Sequence, residues 1–569
     1  MVIRLAEELR ISEVSARMLV VRGIRTAEEA RVYIRPSLEQ LHDPYRMRDM
    51  DKAVERIEKA FKNREHIMVY GDYDVDGTTA VALMYSYLRQ WAENIDESVR
   101  PELEYYIPDR YTEGYGISYQ GIDTARQNGC TLIIALDCGI KAMEKVAYAK
   151  EKGIDFIICD HHTPDETIPD AVAVLDAERK DNTYPYDKLS GCGVGFKLCQ
   201  ALDIRRGKST GGVPCEELQT LLPLTAMSIA SDIVPVTGEN RILACYGLKR
   251  INSSPSIGIS ALCQVAGIAG REINMTDLVF KIGPRINACG RLYSGREAVQ
   301  LLITEDREMA LQKAQDIDSY NRERKDYDNT TTEEALRMLE ADPENESKHT
   351  TVVYSPNWHK GVVGIAASRL TETYYRPTIV LTAGENGIIS GSARSVGDFN
   401  LYNAIDSCRD LLTNFGGHAF AAGLSMQESN LPEFKRRFEK YVASHITPEQ
   451  QVPTLEIEDE IRLGDITPQM WQVIQCLAPF GPENPTPLFV TRGLKNSRYT
   501  RRVGENGAHL KLDLCDGTGG ISGIAFRQGE QWGLRLQQGE AVDIAYTLEP
   551  NTYNGRTTIE MQASAIRSN

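Results

Sequence analysis

No run of 18 or more apolar residues occurs in this 569-residue chain, and its N-terminus lacks a signal-peptide pattern. A membrane span and secretion are therefore not expected, and a soluble cytoplasmic protein is. Cysteine numbers 12, but no two form a C-x-x-C pair, and several, Cys159 among them, fall inside apolar runs. Reduced thiols packed as small hydrophobes are expected, not disulfides or a zinc site. Internal repeats and low-complexity tracts are missing. Basic residues are the minority, 64 Lys and Arg against 80 Asp and Glu, for a net charge of −16. Phosphate binding usually leaves a basic footprint, so any nucleic-acid contact must use basic residues concentrated locally. An acidic chain can still bind single strands through a basic groove, though it should hold duplex poorly. Arg206-Gly207-Lys208-Ser209-Thr210 has the ending of a phosphate-binding P-loop, but the Gly required at position 202 is Leu202, so ATP binding there is not expected.

What the chain has is acidic residues placed after β-type runs. Ile67–Tyr70 leads into Gly71-Asp72-Tyr73-Asp74-Val75-Asp76-Gly77, Thr131–Ala135 into Leu136-Asp137-Cys138-Gly139, and Phe156–Cys159 into Asp160-His161-His162. Such runs read as buried parallel strands. In an open parallel sheet, ligands bind beyond the carboxyl ends of the strands, so these residues should meet in one crevice. Carboxylates crowded there would repel unless protonated or neutralised by cations. Asp74, Asp76, Asp137 and a later candidate, Asp232, supply four negative charges, which balance two divalent ions. An oxygen-rich set with one or two imidazoles suits Mn²⁺ or Mg²⁺.

At this length three or four domains are expected. Short helical patterns fill residues 1 to about 50, with Thr26 placed to cap one of them. Strands alternating with helices follow to about 255, a doubly wound α/β pattern. The next stretch reads as helical, and Asp306 to Leu339, without Pro or Gly, reads as a long helix between domains. A second α/β unit has strands near Thr351–Tyr354 and Thr378–Leu381. Beyond about 452, alternating segments such as His509–Leu514 and repeated Gly indicate a small β-barrel.

The Asp-His-His triplet, the Asp-x-Asp element and the lone strand-end Asp resemble the DHH phosphoesterase superfamily. The finer similarity is to its bacterial branch of 5′→3′ exonucleases specific for single strands, and it covers nearly the whole chain. It runs through Ile107-Pro108-Asp109-Arg110, Leu189-Ser190-Gly191-Cys192-Gly193-Val194-Gly195 and Ser231-Asp232-Ile233-Val234-Pro235 to Gly238-Glu239-Asn240-Arg241. It continues through Gly283-Pro284-Arg285-Ile286-Asn287-Ala288, Gly290-Arg291-Leu292, Gly391-Ser392-Ala393-Arg394-Ser395, Gly416-Gly417-His418 with Ala421-Ala422-Gly423, and Pro479-Phe480-Gly481-Pro482-Glu483-Asn484-Pro485.

The resemblance implies an α/β fold: a DHH catalytic domain and a DHH-associated domain joined by a long helix, with a C-terminal OB-fold barrel. The implied division is 1–50 helical segment, 51–255 DHH domain, 256–345 helical connector, 346–451 DHH-associated domain and 452–569 OB-fold. It implies that Asp76, Asp137, His161 and Asp232 hold one ion, and that Asp74 and Asp137, with Asp72, hold the other. Tyr70 stands where some members place a His ligand. Asp160 would orient an imidazole, and His162 would contact phosphate or protonate the leaving group. Arg110, Ser392 and Arg394 would hold a terminal 5′ phosphate, Gly417 and His418 would approach the substrate phosphate, and Arg285, Asn287 and Arg291 would line the strand's path. In the barrel, Arg492, Lys495, Arg498, Arg501 and Arg502 with Tyr499 suit single strands by charge and stacking. The implied activity is metal-dependent degradation of single-stranded DNA to 5′-mononucleotides in repair and recombination. Its implied partners are a RecQ-type helicase and a single-strand-binding protein, for a monomeric enzyme. The competing readings are a nuclease for short oligoribonucleotides or cyclic dinucleotides, whose members lack the barrel; a catalytically dead replication scaffold, which should have lost ligands; and a pyrophosphatase, which needs no such length.

Overall fold

The computed structural model describes residues 1–209, 212–553 and 556–568; Thr210, the last residue of the P-loop-like segment, lies outside them. The first domain is built on a wholly parallel sheet of β1 (His66–Gly71), β2 (Glu102–Tyr106), β3 (Cys130–Leu136), β4 (Asp155–Cys159) and β5 (Ala173–Leu175), in the order β2-β1-β3-β4-β5. Alternate residues serve two cores. Ile67, Val69 and Ile134 face one, while Met68, Tyr70, Ile133 and Ala135 face the other. Burial on both sides is why these strands are unbroken apolar runs. It is also why β2, a half-exposed edge strand of sequence Glu-Leu-Glu-Tyr-Tyr, carries no such signal.

The second domain has a mixed sheet of β6 (Thr351–Ser355), β7 (Thr378–Ala383), β8 (Ile388–Arg394), β9 (Leu412–Gly417) and β10 (Ala421–Gln427), in the order β6-β7-β8-β10-β9. The helix Arg307–Glu340, about 51 Å long at 1.5 Å per residue, joins the two domains. Ala310, Ala314 and Ile317 of this helix lie in the first domain's core, while Ala335 and Leu339 pack with Val353 and Leu370 of the second. Asp306 caps it, accepting from the backbone N–H groups of Glu308 and Met309.

The third domain comprises β11 (Asp459–Glu460), β12 (Phe489–Asn496), β13 (Arg501–Val503), β14 (His509–Cys515), β15 (Gly520–Ala525), β16 (Val542–Tyr553) and β17 (Arg556–Ser568). Pairings β12–β16, β16–β17, β17–β15, β15–β14 and β14–β12 close a five-stranded barrel.

Two expected boundaries change. The N-terminal segment 1–50 is not a unit of its own: Leu5, Met18 and Leu19 share a core with Phe489, Leu510 and Tyr546 of the barrel, whereas Leu38, Met47 and Met50 belong to the first domain's core. Short amphipathic helices cannot bury their apolar faces alone, so they divide between the two neighbours. Arg241 fixes the junction, donating to the carbonyls of Tyr33, Cys476 and Ala478. The 256–345 stretch is likewise no free connector, because Leu262, Ile286 and Leu301 pack in the first core.

Candidate functional site

Strands β1, β3 and β4 are adjacent, so their carboxyl ends place the acidic elements side by side. Asp72 follows β1, Asp74 caps the helix Val75–Glu93, and Asp76 sits in its first turn. Asp137, just past β3, adopts φ +58°, a left-handed conformation that Asp and Asn tolerate better than most residues. Its backbone N–H donates to the Cys159 carbonyl at 2.8 Å, extending the ladder to β4. Asp232 ends the helix Leu222–Ser231 and reaches the site from a helix terminus. Gly191 is required beside Asp137, since a Cβ there would stand 2.7 Å from the Asp137 Cβ.

His161 Nε2 lies 3.2 Å from Asp137 Oδ1, 3.4 Å from Asp232 Oδ2 and 3.6 Å from Asp76 Oδ2. Asp76 is buried and accepts from the N–H groups of Gly191 and Cys192 and from the Ser228 hydroxyl, each at 2.7 Å. Both oxygens of Asp72, Asp137 Oδ1 and His161 Nε2 are buried without any hydrogen-bond partner. Such orphaned acceptors are expensive unless a cation completes them. Burial first, then the charge of Asp74, pushes Asp72 up to about 8. Burial and the charges of Asp76 and Asp74 push Asp232 up to about 9. Burial and the same two neighbours carry Asp137 well above the usual carboxylate range. This oxygen-rich set with one imidazole fits two hard divalent ions. Tyr70 is no part of it, being buried with its hydroxyl donating to the Gly116 carbonyl at 3.0 Å.

A consequence can be measured. Metal-free protein should hold protons on these carboxyls at neutral pH, so Mn²⁺ binding should expel them. Calorimetric titration at pH 7 in buffers of different ionisation enthalpy should give different apparent heats. Equal heats would mean that the carboxylates were already ionised. The folded-state values lie above the unfolded value of about 3.9, so chelated protein should lose stability as pH rises from about 4 towards 9, and Mn²⁺ should reverse the loss.

Asp160 plays another part. Its Oδ1 accepts from the His161 and His162 N–H groups and from His162 Nδ1 at 2.7 Å, and its Oδ2 accepts from the Ile140 N–H. Burial would raise it, but these donors and the His162 charge hold it below the usual range. Burial would lower His162, yet the Asp160 bond and the surrounding carboxylates carry it up to about 9. His162 Nε2 meets the Tyr115 hydroxyl at 3.1 Å. A cavity of about 480 Å³ opens here, lined by Tyr115, Asp160, His161, His162, Lys141 and Lys145, with His418 of the second domain on its wall. His418 follows Gly417 at the end of β9, in the hairpin to β10.

A second cavity, of about 670 Å³, lies between the domains and is lined by Tyr73, Arg110, Tyr111, Lys360, Ser392 and Gly416 among others. Tyr73, which lines this cavity, stands edge-on to Tyr115, which lines the first, with centroids 6.4 Å apart. The Arg110 guanidinium lies over the Tyr73 ring at 5.0 Å. Burial, then the like charges of Arg110, Arg324 and Arg394, pushes Arg291 down to about 10. Arg394 and Ser392 project from one face of β8 toward the N-terminus of the helix Val363–Tyr374, where a Cβ on Gly364 would stand 3.1 Å from the Arg394 guanidinium.

Not every expected contact gathers here. The Arg285 guanidinium is paired with Asp318 at 2.8 Å and donates to the Lys281 carbonyl, so it is committed within the helices and is not open to a strand. Asn287 is half-buried on the same helix, Gly283–Leu292, as Arg291. In the barrel, Arg498, Tyr499 and Arg501 are exposed, whereas Arg492 pairs with Glu460 and Asp543 and Arg502 bonds its own loop. Sequence reasoning missed Tyr73, Tyr115 and Arg324. The uncapped Gly361-Val362-Val363-Gly364 helix start was a signal available for the second cavity.

The pattern of the DHH family, N-terminal domain, matches residues 66–226, that of the DHHA1 domain matches 347–444, and that of the RecJ OB domain matches 457–565. The chain is 36% identical over 555 residues to the single-stranded-DNA-specific exonuclease RecJ of Bacillus subtilis, covering 97% of this chain and 67% of that one. It is 33% identical over 565 residues to the RecJ of Salmonella typhimurium, covering 96% of this chain and 94% of that one. The chain belongs to the RecJ family. The crystal structure of RecJ from Thermus thermophilus in complex with Mn²⁺ superposes with a TM-score of 0.82 at 29% identity, over 99% of this chain and 77% of that one. The Mg²⁺ complex superposes with a TM-score of 0.77 at 28% identity, over 99% and 76%. The order of α/β domain, long helix, second α/β domain and barrel described above is thus a RecJ architecture.

Proposed function

We propose that this chain is a 5′→3′ exonuclease that hydrolyses single-stranded DNA to 5′-mononucleotides with two divalent cations, Mn²⁺ or Mg²⁺. The observation that carries the reading is the set of orphaned buried acceptors on Asp72, Asp137 and His161, one aromatic pair away from a cluster of arginines. The residues that would hold the ions are Asp72, Asp74, Asp76, Asp137, His161 and Asp232, with Asp137 shared between the two. Two bound divalent ions supply an activated water and neutralise charge on the phosphoryl group.

The residues of the chain itself do the rest. Asp160 holds His162 by Nδ1 and favours its charged form, so that its Nε2 can give a proton to the departing 3′ oxygen. The Tyr115 hydroxyl holds the same nitrogen at 3.1 Å and must give up that contact when the 3′ oxygen takes its place. Arg110, Arg291 and Arg394 with Ser392 bind the terminal 5′ phosphate, and His418 and Gly417 approach the phosphate being cut. Breaking the P–O3′ bond leaves a new 5′ phosphate on the shortened strand, so each turnover recreates the group that the arginines bind. Arg498, Tyr499 and Arg501 guide the strand at the barrel.

We propose further that the enzyme works as a cytoplasmic monomer on strands opened by a RecQ-type helicase and covered by single-strand-binding protein. Among the described residues no helix is long and apolar enough to cross a membrane. The test of the activity is digestion of 5′-phosphorylated single strands labelled at either end, with Mn²⁺ or with chelator. Labelled mononucleotide should appear at once from the 5′ label and late from the 3′ label, and neither should appear with chelator. Release from the 3′ end, internal cuts or activity without metal would overturn the reading.

A further inference from the structure

On the same sheet, away from the acidic carboxyl ends, His66 at the start of β1, Glu104 on β2 and Cys130 at the start of β3 come together. We propose that these three residues form a second metal site, for one thiophilic divalent cation of the zinc class. One ligand atom from each residue, a His66 ring nitrogen, a Glu104 carboxylate oxygen and the Cys130 Sγ, lies within 4.8 Å of the other two. Glu104 Oε1 is 3.6 Å from His66 Nε2 and accepts from the Cys130 thiol at 2.8 Å.

One residue orients two of the ligands. The Asn128 carbonyl lies 2.8 Å from His66 Nδ1, so Nδ1 carries the proton and the Nε2 lone pair is left facing Glu104. The side-chain amide of Asn128 donates to Glu104 Oε2 at 2.8 Å, leaving Oε1 toward the thiol. A ligating His with its other nitrogen on a carbonyl, and a ligating carboxylate held by its second oxygen, are the outer contacts that fix ligands in metal sites. Glu102 also stands 3.5 Å from Nδ1, on the solvent side. The pairing of β1 with β3 shifts by one residue between His66 and Ile67, so Cys130 and not Thr131 is opposite His66. Bulges re-aim side chains in this way.

Cys130 is 4% exposed, while the His66 and Glu104 side chains are 16% and 27% exposed, so an ion would enter past His66 and Glu104. A nitrogen, sulfur and oxygen set selects a softer ion than the acidic centre does. Binding exchanges the thiol proton for the cation and leaves a thiolate. Burial and the Glu104 carboxylate hold that proton on the empty site.

Cd²⁺ titration of the full chain, with excess Mn²⁺ present to fill the carboxylate centre, tests the proposal through thiolate-to-metal ultraviolet absorption. The band should saturate at one equivalent, vanish in Cys130→Ser and His66→Gln, and need about 10-fold more Cd²⁺ in Asn128→Ala. Glu104→Gln, at a partly exposed strand position, should also weaken binding should the other variants fail to fold, and retained hydrolysis of single-stranded DNA reports folding. No saturating band in the unaltered protein, or one unchanged in the folded variants, overturns the site.

Discussion

Asp137→Asn should reduce hydrolysis of single-stranded DNA by at least about 10⁴-fold with either Mn²⁺ or Mg²⁺, the scale seen when one member of a concerted catalytic set is removed. The variant is chosen for its backbone. Asn accepts the φ of +58° that position 137 requires and keeps the size of the side chain beside Gly191, whereas Ala would add strain. What is lost is one negative charge and an acceptor 3.2 Å from His161 Nε2. Both ions would share that ligand, so more metal should not restore the rate. Comparison of turnover at saturating Mn²⁺ decides it, with unfolding temperature as the control for folding. Near-normal turnover by a folded variant would refute the shared-ligand arrangement.

Arg394→Ala should slow removal of the first nucleotide from 5′-phosphorylated strands about 10- to 100-fold, while 5′-hydroxyl strands change little. A charge-assisted bond to phosphate is worth about 1.5–3 kcal/mol. Burial holds the Arg394 charge below its usual range, which a bound phosphate would reverse. Arg394→Lys should recover only part of the preference, because an ammonium cannot bind in the bidentate manner. Single-turnover rates on the two ends make the comparison. Equal losses on both would place Arg394 among general strand contacts.

The sequence exposes these features unevenly, for physical reasons. Asp72, Asp137 and Asp160 were legible because each closes a strand buried on both faces, and such strands are unbroken apolar runs. The long helix was legible from Asp306 onward because it has a capping side chain and no Pro or Gly. Asp232 entered the charge balance as a later candidate, but its place in the ligand set came from the resemblance, since it ends a helix and no local pattern marks its arrival beside His161. Tyr115 and Arg324 were not legible. A Tyr in a Gly-flanked loop and an Arg within a charged helix look solvated until the fold sets them against His162 and Arg291. Arg285 shows the converse. It lies in one of the stretches that carried the resemblance, yet its guanidinium is satisfied by Asp318 on the neighbouring long helix. Pairing across sequence distance is what sequence alone leaves open, as the shared core of the first helices and the barrel shows too.

Electron paramagnetic resonance of the protein at saturating Mn²⁺ tests the two-ion centre most directly. The account predicts two ions per chain, magnetically coupled through the shared carboxylate, and loss of that coupling in Asp137→Asn. A single ion in the unaltered protein, or two uncoupled ions indifferent to the substitution, would contradict it.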